Sequence, residues 1–432
     1  MNKGFIGALI AGAMCFSTTA AQAMVHYVYP GESIQEAIDA ALPGDSIIVE
    51  PGVYKEKSNK TYGLRIDKND IRLIGKTRQK KGQGRTNRVR LLQTKGQKTG
   101  VYAAPTGCEY KMNQQECEEA GFSGGPIVPV ENFYIRGFSV EGFPDNGIQT
   151  RWVDGFQFVS NHSVNNLNNG IYPTLSANGM VRNNVSYGSL DTAMWVAGSE
   201  NVRVIGNELH GSVIGFEITV SNKVHVEANK IYDNTVGVGL FHPNGAGNPP
   251  LPEMVDWVIT QNDIYDNNRD NEAPEGTFQS VLPSGIGVLL SGVSDHEVSF
   301  NDVSGNNYVG IALLGWCTGL GIPPPPGDPE EPNNVCLVDP LGPLKASPGS
   351  TNNLVAENYL FNNGNMPPAD AELPPADLLH AQVIEEAIGY PTGGNCFEDN
   401  EPEEDLVSIN LFFDGDDTPG VNDQLPTDGC QP

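Results

Sequence analysis

Positive charge is what this chain of 432 residues has least of. Lys and Arg number 25 against 53 Asp and Glu, a net charge of -28, and neither basic residue occurs after Lys345. That balance excludes a nucleic-acid partner for the molecule as a whole, because phosphate backbones are held by clustered cations. The cations that exist crowd between Lys55 and Lys98. Long apolar runs are also scarce: beyond the first residues none is long enough to cross a bilayer as a helix. No CxxC or paired His points to zinc, and there is no phosphate loop, dinucleotide fingerprint or nucleophile elbow. The acidity fits solubility in a salty exterior.

The one apolar run lies at the start. MNKGFIGALIAGAMCFSTTAAQA combines Lys3, the stretch from Phe5 to Phe16 and the small-x-small sequence Ala21-Gln22-Ala23. It reads as a secretory signal peptide, residues 1–23, which predicts an exported protein, periplasmic or extracellular. Beyond it remain six cysteines, Cys108, Cys117, Cys317, Cys336, Cys396 and Cys430, an even set suited to an oxidising compartment. About fifteen pairings are open to six cysteines, sequential pairing being the simplest.

What the chain has in abundance is a repeat. In register, the segments NGIQTRWVDGFQFVSNHSVNNL, NGIYPTLSANGMVRNNVSYGSL, TAMWVAGSENVRVIGNELHGSV and GFEITVSNKVHVEANKIYDNTV place apolar residues at Ile148, Ile171, Met194, Phe216 and Val238. A second column runs through Asn161, Asn184, Asn207, Asn229, Asn262, Asn301 and Asn358. The period is therefore 22–23 residues, with longer steps where inserts intervene. Strands of three to five alternating residues cannot build a sandwich, and the segments lack the Leu pattern and helical half of leucine-rich repeats. They suit a solenoid in which each coil stacks on the last and the stack closes one core.

From about residue 31 to 363 the chain resembles the right-handed parallel β-helix, or pectate-lyase-like, superfamily. Its opening, PGESIQEAIDAALPGDSIIVEPGVYKE, is similar to the start of many members: an amphipathic helix, a Pro-Gly-Asp turn, a first strand and Gly-x-Tyr. The predicted architecture is all-β: a β-helix over residues 24–365 with a capping helix over 32–42, inserts near 76–130, 242–256 and 316–352, and an acidic, Pro-rich C-terminal segment over 366–432. Ile34, Ala37, Ile38 and Ala41 share one helical face, which suits a cap on the open end of the stack.

Fold does not give function. The resemblance implies an elongated groove for a sugar polymer, but the superfamily's hydrolase elements (Asn-Thr-Asp, Asp-Asp, Gly-His-Gly and Arg-Ile-Lys) are missing as a set. The Arg-x-Pro-x-x-Arg of pectate lyases is missing too, and Asp295-His296 lacks the flanking residues of an epimerase motif.

An outward stripe reads Gln149, Tyr172, Trp195, Glu217, with Arg151 beside it. Aromatic faces stack on sugar rings and charged groups bond hydroxyls, so these five are the expected substrate-binding residues. Glu217, Asp191 and Arg151 are the catalytic candidates, for a lyase or epimerase rather than a hydrolase, since proton abstraction beside a carboxylate needs one base and a counter-cation. Glu217 or Asp191 could hold calcium, the one cofactor suggested. Arg151 and Glu217 lie three coils apart, about 14 Å, and so address different rings of one chain.

Asp414, Asp416, Asp417 and Asp423 offer further calcium-type oxygens without an EF-hand pattern. Arg182, Arg203, His225 and Glu227 form another stripe, expected to be a solvated face with cross-coil ion pairs. The expected partner is a polysaccharide or cell-envelope component. The sequence leaves open whether the protein is an enzyme or a noncatalytic β-helix acting in adhesion or assembly with a protein partner, and sets no oligomeric state.

Overall fold

The computed structural model describes residues 23–79, 86–241, 254–319, 349–369, 371–387, 389–402, 407–415 and 419–430. Among them all strands but the antiparallel pair Arg78–Gln79 and Thr86–Asn87 fall into three long sheets, here called A, B and C, of 12, 11 and 12 strands. Each coil contributes one strand to each sheet in turn, and successive coils pair in parallel. The final pairing, Ser408–Phe412 with Gly420–Asn422, is antiparallel.

The register follows the sequence columns: Ile148 lies opposite Ile171, Ile171 opposite Met194, Met194 opposite Phe216, and Phe216 opposite Val238. All five are 0% exposed. They belong to one core cluster that runs from Val28 to Phe397 along the solenoid axis. A right-handed parallel β-helix is the fold.

The Asn column is the tight turn between sheets A and B. Asn161, Asn184, Asn207, Asn229, Asn262, Asn301 and Asn358 form a buried amide ladder, each Nδ2 donating to the next Oδ1 at 2.9–3.1 Å, and Asn400 extends it. Each Oδ1 also accepts the backbone N–H of the Asn one coil earlier, as in Asn161 N to Asn184 Oδ1 at 2.9 Å. The left-handed conformation belongs not to the ladder Asn but to the residue before it: Ser160, Asn183, Gly206, Ala228, Gln261, Phe300 and Glu357 have φ of 53–64°. The ladder amide satisfies groups that the turn removes from the sheet.

The two other corners carry ladders that the sequence columns do not reveal. Asn234, Asn267, Asn306 and Asn363 follow sheet B. The backbone N–H groups of Ser176 and Ser199 donate to Ser199 Oγ and Ser221 Oγ at the corner after sheet C.

Helix α1 (Ile34–Ala40) starts at Ser33, whose Oγ accepts Glu36 N at 3.1 Å. It buries Ile34, Ile38 and Ala41 against the first coil, and Lys68 Nζ donates to the carbonyls of Ile38, Asp39 and Ala41 at its end. Two boundaries need correction. The coils run on past residue 365: Ala376–Ala381, Cys396–Glu398 and Ser408–Phe412 join sheets C, A and C. The Pro-rich stretch before them hides the count because it lengthens one connection without ending the stack.

Nor is 76–130 a single insert, since Val89–Leu92 and Thr99–Ala103 are ordinary coil strands. The excursion there is residues 104–129, containing α2 (Gln114–Gly121) and closed by the Cys108–Cys117 disulfide. Cys396–Cys430 is a further disulfide among the described residues, and Cys336 lies outside them, as do Asp416 and Asp417.

Candidate functional site

One outward column of sheet C reads Arg65, Tyr102, Gln149, Tyr172, Trp195, Glu217, Gly239. The sequence stripe is thus a physical stripe, one residue per coil. Its first part is covered. Tyr102 is 0% exposed, stacked on Tyr62 at 4.7 Å beneath the 104–129 excursion, and Arg65 reaches carbonyls of Ala104 and Pro105 in that excursion.

Its far part is covered by a second excursion, residues 267–285, which the sequence reading did not single out. There Phe278 packs edge-on to Phe241 and stacks on Trp316, the first residue of α3 (Trp316–Gly319), at 5.6 Å. Leu282 is buried in the same cluster. Between the two covers, among the described residues, lies a window about three coils or 14 Å long, with Tyr172, Trp195 and Arg151 half-buried along it.

Tyr172 and Trp195 stack at 4.7 Å with an interplanar angle of 14°. Each ring therefore gives one face to the other, and those faces are not available to a sugar. Trp195 Nε1 donates to Thr219 Oγ1 at 2.9 Å, which fixes the indole. What a ligand can reach is the part of each ring left outside the mutual stack, both residues being half-buried. Gln149 itself is 6% exposed, its carbonyl held by Asn146 Nδ2 at 3.0 Å. Burial pushes the Tyr172 hydroxyl up to about 12, so it stays a donor at neutral pH. Arg151 lies over the Trp152 ring at 4.2 Å and acts on Tyr172 electrostatically.

Glu217 is not on an open surface as the stripe implied; it is 2% exposed, and Asp191 is 9% exposed. The residue that joins them, Thr192, was missed. Its Oγ1 lies 3.0 Å from Asp191 Oδ1 and 2.6 Å from Glu217 Oε2. A hydroxyl carries one proton, so both contacts are hydrogen bonds only if one carboxyl keeps its own proton. Burial raises both acids well above the usual carboxylate range, and for Glu217 the charge of Asp191 raises it further. Gln279, from the second excursion, bonds Asp191 and draws the other way. With one carboxyl protonated, Glu217, Thr192 and Asp191 form a continuous hydrogen-bonded chain at the edge of the window.

Asp191, Glu217, Arg151, Tyr172, Trp195 and Gln149 are thus brought into one region. Of the C-terminal acids only Asp414 and Asp423 are among the described residues, and within those neither joins a cluster of metal-ligating groups. The one such cluster, Cys396, Glu398 and Cys430, includes a disulfide and so offers no thiolate. Arg203 approaches Glu227 from the neighbouring coil at 3.5 Å, the cross-coil pairing expected of that stripe, and His225 approaches the same Glu227 along its own strand at 3.5 Å.

Three stacked sheets define the class, a parallel β-helix, and the polar window between loop excursions is its candidate site. A family model described as right handed beta helix region matches residues 97–249 and 146–322, together 97–322 of the chain, and the protein belongs to that family. No curated protein matches the sequence. Among solved structures it is similar to the A-modules of two mannuronan C-5 epimerases of Azotobacter vinelandii. One, AlgE4, has 16% identity and a TM-score of 0.54 over 89% of this chain and 94% of that one. The other, AlgE6, has 17% identity and 0.55 over 88% and 87%. It is also similar to the DFA-IIIase of Arthrobacter chlorophenolicus A6 without its lid, in complex with GF2: 13% identity and 0.52 over 90% and 92%. At these identities the likeness is one of fold.

Proposed function

We propose that this is an exported protein that binds a polysaccharide chain, or a sugar component of the cell envelope, in the window of sheet C. The observation that carries the reading is convergence: the Tyr172–Trp195 stack, Arg151 and the hydrogen-bonded acid pair meet on one face between two excursions. A polymer lying along the solenoid axis would pass the ring edges and the Arg151 guanidinium in successive coils. Folds shared with mannuronan C-5 epimerases are in keeping with it.

A second reading, processing of the bound chain by lyase- or epimerase-like proton transfer, is favoured by the acid pair. Two carboxyls buried together cost stability in the ionised form, and such perturbed groups concentrate at functional sites. In this reading Asp191, the more exposed of the two, takes the proton as carboxylate. Thr192 and Glu217 hold the proton that balances it, and Arg151 faces an acidic group of another ring. A pair that keeps a proton makes a poor calcium site, so no step is assigned to a metal.

Retention on gels containing uronate or neutral polysaccharides tests the binding, with unsaturated product and new reducing ends followed in parallel. Y172A/W195A weakens retention if the window is the site; retention unchanged on every polymer that the wild type holds removes the proposal. Product formation abolished by D191N with retention intact assigns processing, whereas retention without product across a broad panel leaves a binder. A protein partner as ligand would show as retention absent on every polysaccharide.

A further inference from the structure

Sheet A presents an outward face that the window does not use. Four exposed arginines lie on it, Arg72, Arg136, Arg182 and Arg203, in a chain of net charge -28. Only Arg203 has an acid partner, Glu227 at 3.5 Å. Arg72 lies over the Tyr134 ring at 4.5 Å, and the Arg136 and Arg182 guanidiniums make no hydrogen bond or ion pair among the described residues.

The placement is regular. Arg136 lies opposite Val159, which lies opposite Arg182, so the two guanidiniums are two coils or about 10 Å apart on one line. The neighbouring line runs Arg72, Tyr134, Gln157, Met180, Arg203. Glu227 lies on the line of Arg136 and Arg182, two coils beyond Arg182, where Arg203 and His225 approach it, and Asp70 at the rim beside Arg72 accepts Asn132 Nδ2; Glu131, Asp154 and Glu200 sit at the strand starts, several residues back from Arg136 and Arg182.

Two shallow hollows follow these lines and share Gln157. One, of about 420 Å³, is lined by Arg72, Tyr134, Phe156 and Gln157; the other, of about 430 Å³, by Met180, Arg182 and Ile205. Tyr134 gives one ring face to Arg72, and its other side faces the coil of Gln157, where no ring stacks on it. Unpaired cations at intervals beside an aromatic face suit a linear chain that carries an acidic group on repeating rings.

We propose that this face of sheet A is a second, anchoring site for an anionic polysaccharide, held by Arg136 and Arg182 with Tyr134 as the ring platform. It is separate from the sheet C window and does not depend on it. The occupant is not the chain's own acidic end: the strand Cys396–Glu398 lies six strand steps from Ala177–Arg182, about 29 Å along the axis. Long-range attraction is weak or repulsive for a protein this acidic, so the contact is local and sensitive to salt.

Affinity electrophoresis of the full chain in native gels containing a polyuronate or a neutral glucan tests it. The wild type is expected to be retarded by the polyuronate alone, with retardation relieved by added salt, and R136E/R182E to bind at least about tenfold more weakly. Both substitutions are on exposed residues, and unchanged circular dichroism establishes the fold. Y172A/W195A keeps the salt-sensitive part of the polyuronate retardation that R136E/R182E removes, which separates this site from the window. Equal mobility of the wild type in both gels overturns the proposal, as does a double variant with wild-type affinity. Competition by a single-stranded oligonucleotide as strong as by polyuronate overturns the assignment to a sugar polymer.

Discussion

Asn184→Ala tests the reasoning behind the fold. Asn184 is 1% exposed and its side chain serves four neighbours. Its Oδ1 accepts Asn161 N at 2.9 Å and Asn161 Nδ2 at 3.1 Å; its Nδ2 donates to Phe158 O at 3.0 Å and Asn207 Oδ1 at 2.9 Å. Truncation leaves all four groups buried without that partner. Asn161 Nδ2 keeps Ile135 O and Asn207 Oδ1 keeps Asn184 N, so at a net value of about 1 kcal/mol for each of the lost bonds the cost is about 4 kcal/mol. Asn201→Gly is the control: it keeps a residue suited to φ of 54° and removes only an exposed amide contact, Asn201 Nδ2 to Asn178 Oδ1 at 2.7 Å. That variant is expected to lose about 1 kcal/mol or less. Urea unfolding followed by circular dichroism measures both from the shift in midpoint. If Asn184→Ala costs no more than Asn201→Gly, the ladder is an ornament of the turn and its assigned role is wrong.

Three further outcomes follow from the same structure. Asp45 accepts His26 Nε2, Leu42 N and Met24 N, and these contacts, the His26 bond foremost, hold its carboxyl down at about 2. Its stabilisation is present above the unfolded value near 4 and lost as pH falls toward 2, so the thermal midpoint of D45N should match wild type at pH 2 and fall below it at pH 6. Asp191 is pushed up to about 7 and Glu217 is raised with it, so the sign reverses. Stability is full below about pH 4 and declines as pH rises through 7, and E217Q should unfold at a higher temperature than wild type at pH 8 but not at pH 4. Glu385 is fully buried and accepts Cys317 N, Thr318 N and Thr318 Oγ1, and E385A should lose about 3 kcal/mol by urea unfolding from those three orphaned donors.

Much of the architecture is legible because a solenoid writes its register into the sequence. Ile148, Ile171, Met194 and Phe216 recur at the coil period, and one residue per coil must face the core at each column. Asn184 stands out for the same reason. What the column does not show is which residue bears the left-handed backbone, because Ser160, Asn183, Ala228 and Phe300 have no side chain type in common. The serine corners were hidden likewise, since Ser176 and Ser199 look like any turn residues.

The site was half legible. Tyr172 and Trp195 could be placed one above the other from spacing, and they stack. Their mutual stacking takes ring faces away from a ligand, a consequence of the coil spacing being close to the thickness of paired rings. Glu217 looked outward and is buried, because Gln279 and Phe278 arrive from an excursion whose path no repeat encodes. Thr192 joins the two acids only once the strand Thr192–Ala197 is paired with Ile214–Thr219. Arg182 and Arg203 read as part of a solvated stripe, and the pairing of Arg203 with Glu227 agrees; that Arg136 and Arg182 have no ion pair among the described residues emerges only from the geometry.

The most direct test of the account is a crystal structure of the protein with an oligosaccharide selected by gel retention. The account predicts sugar rings along sheet C between the two excursions, touching the edges of Tyr172 and Trp195 and reaching Arg151. A ligand bound elsewhere with that window empty would contradict it.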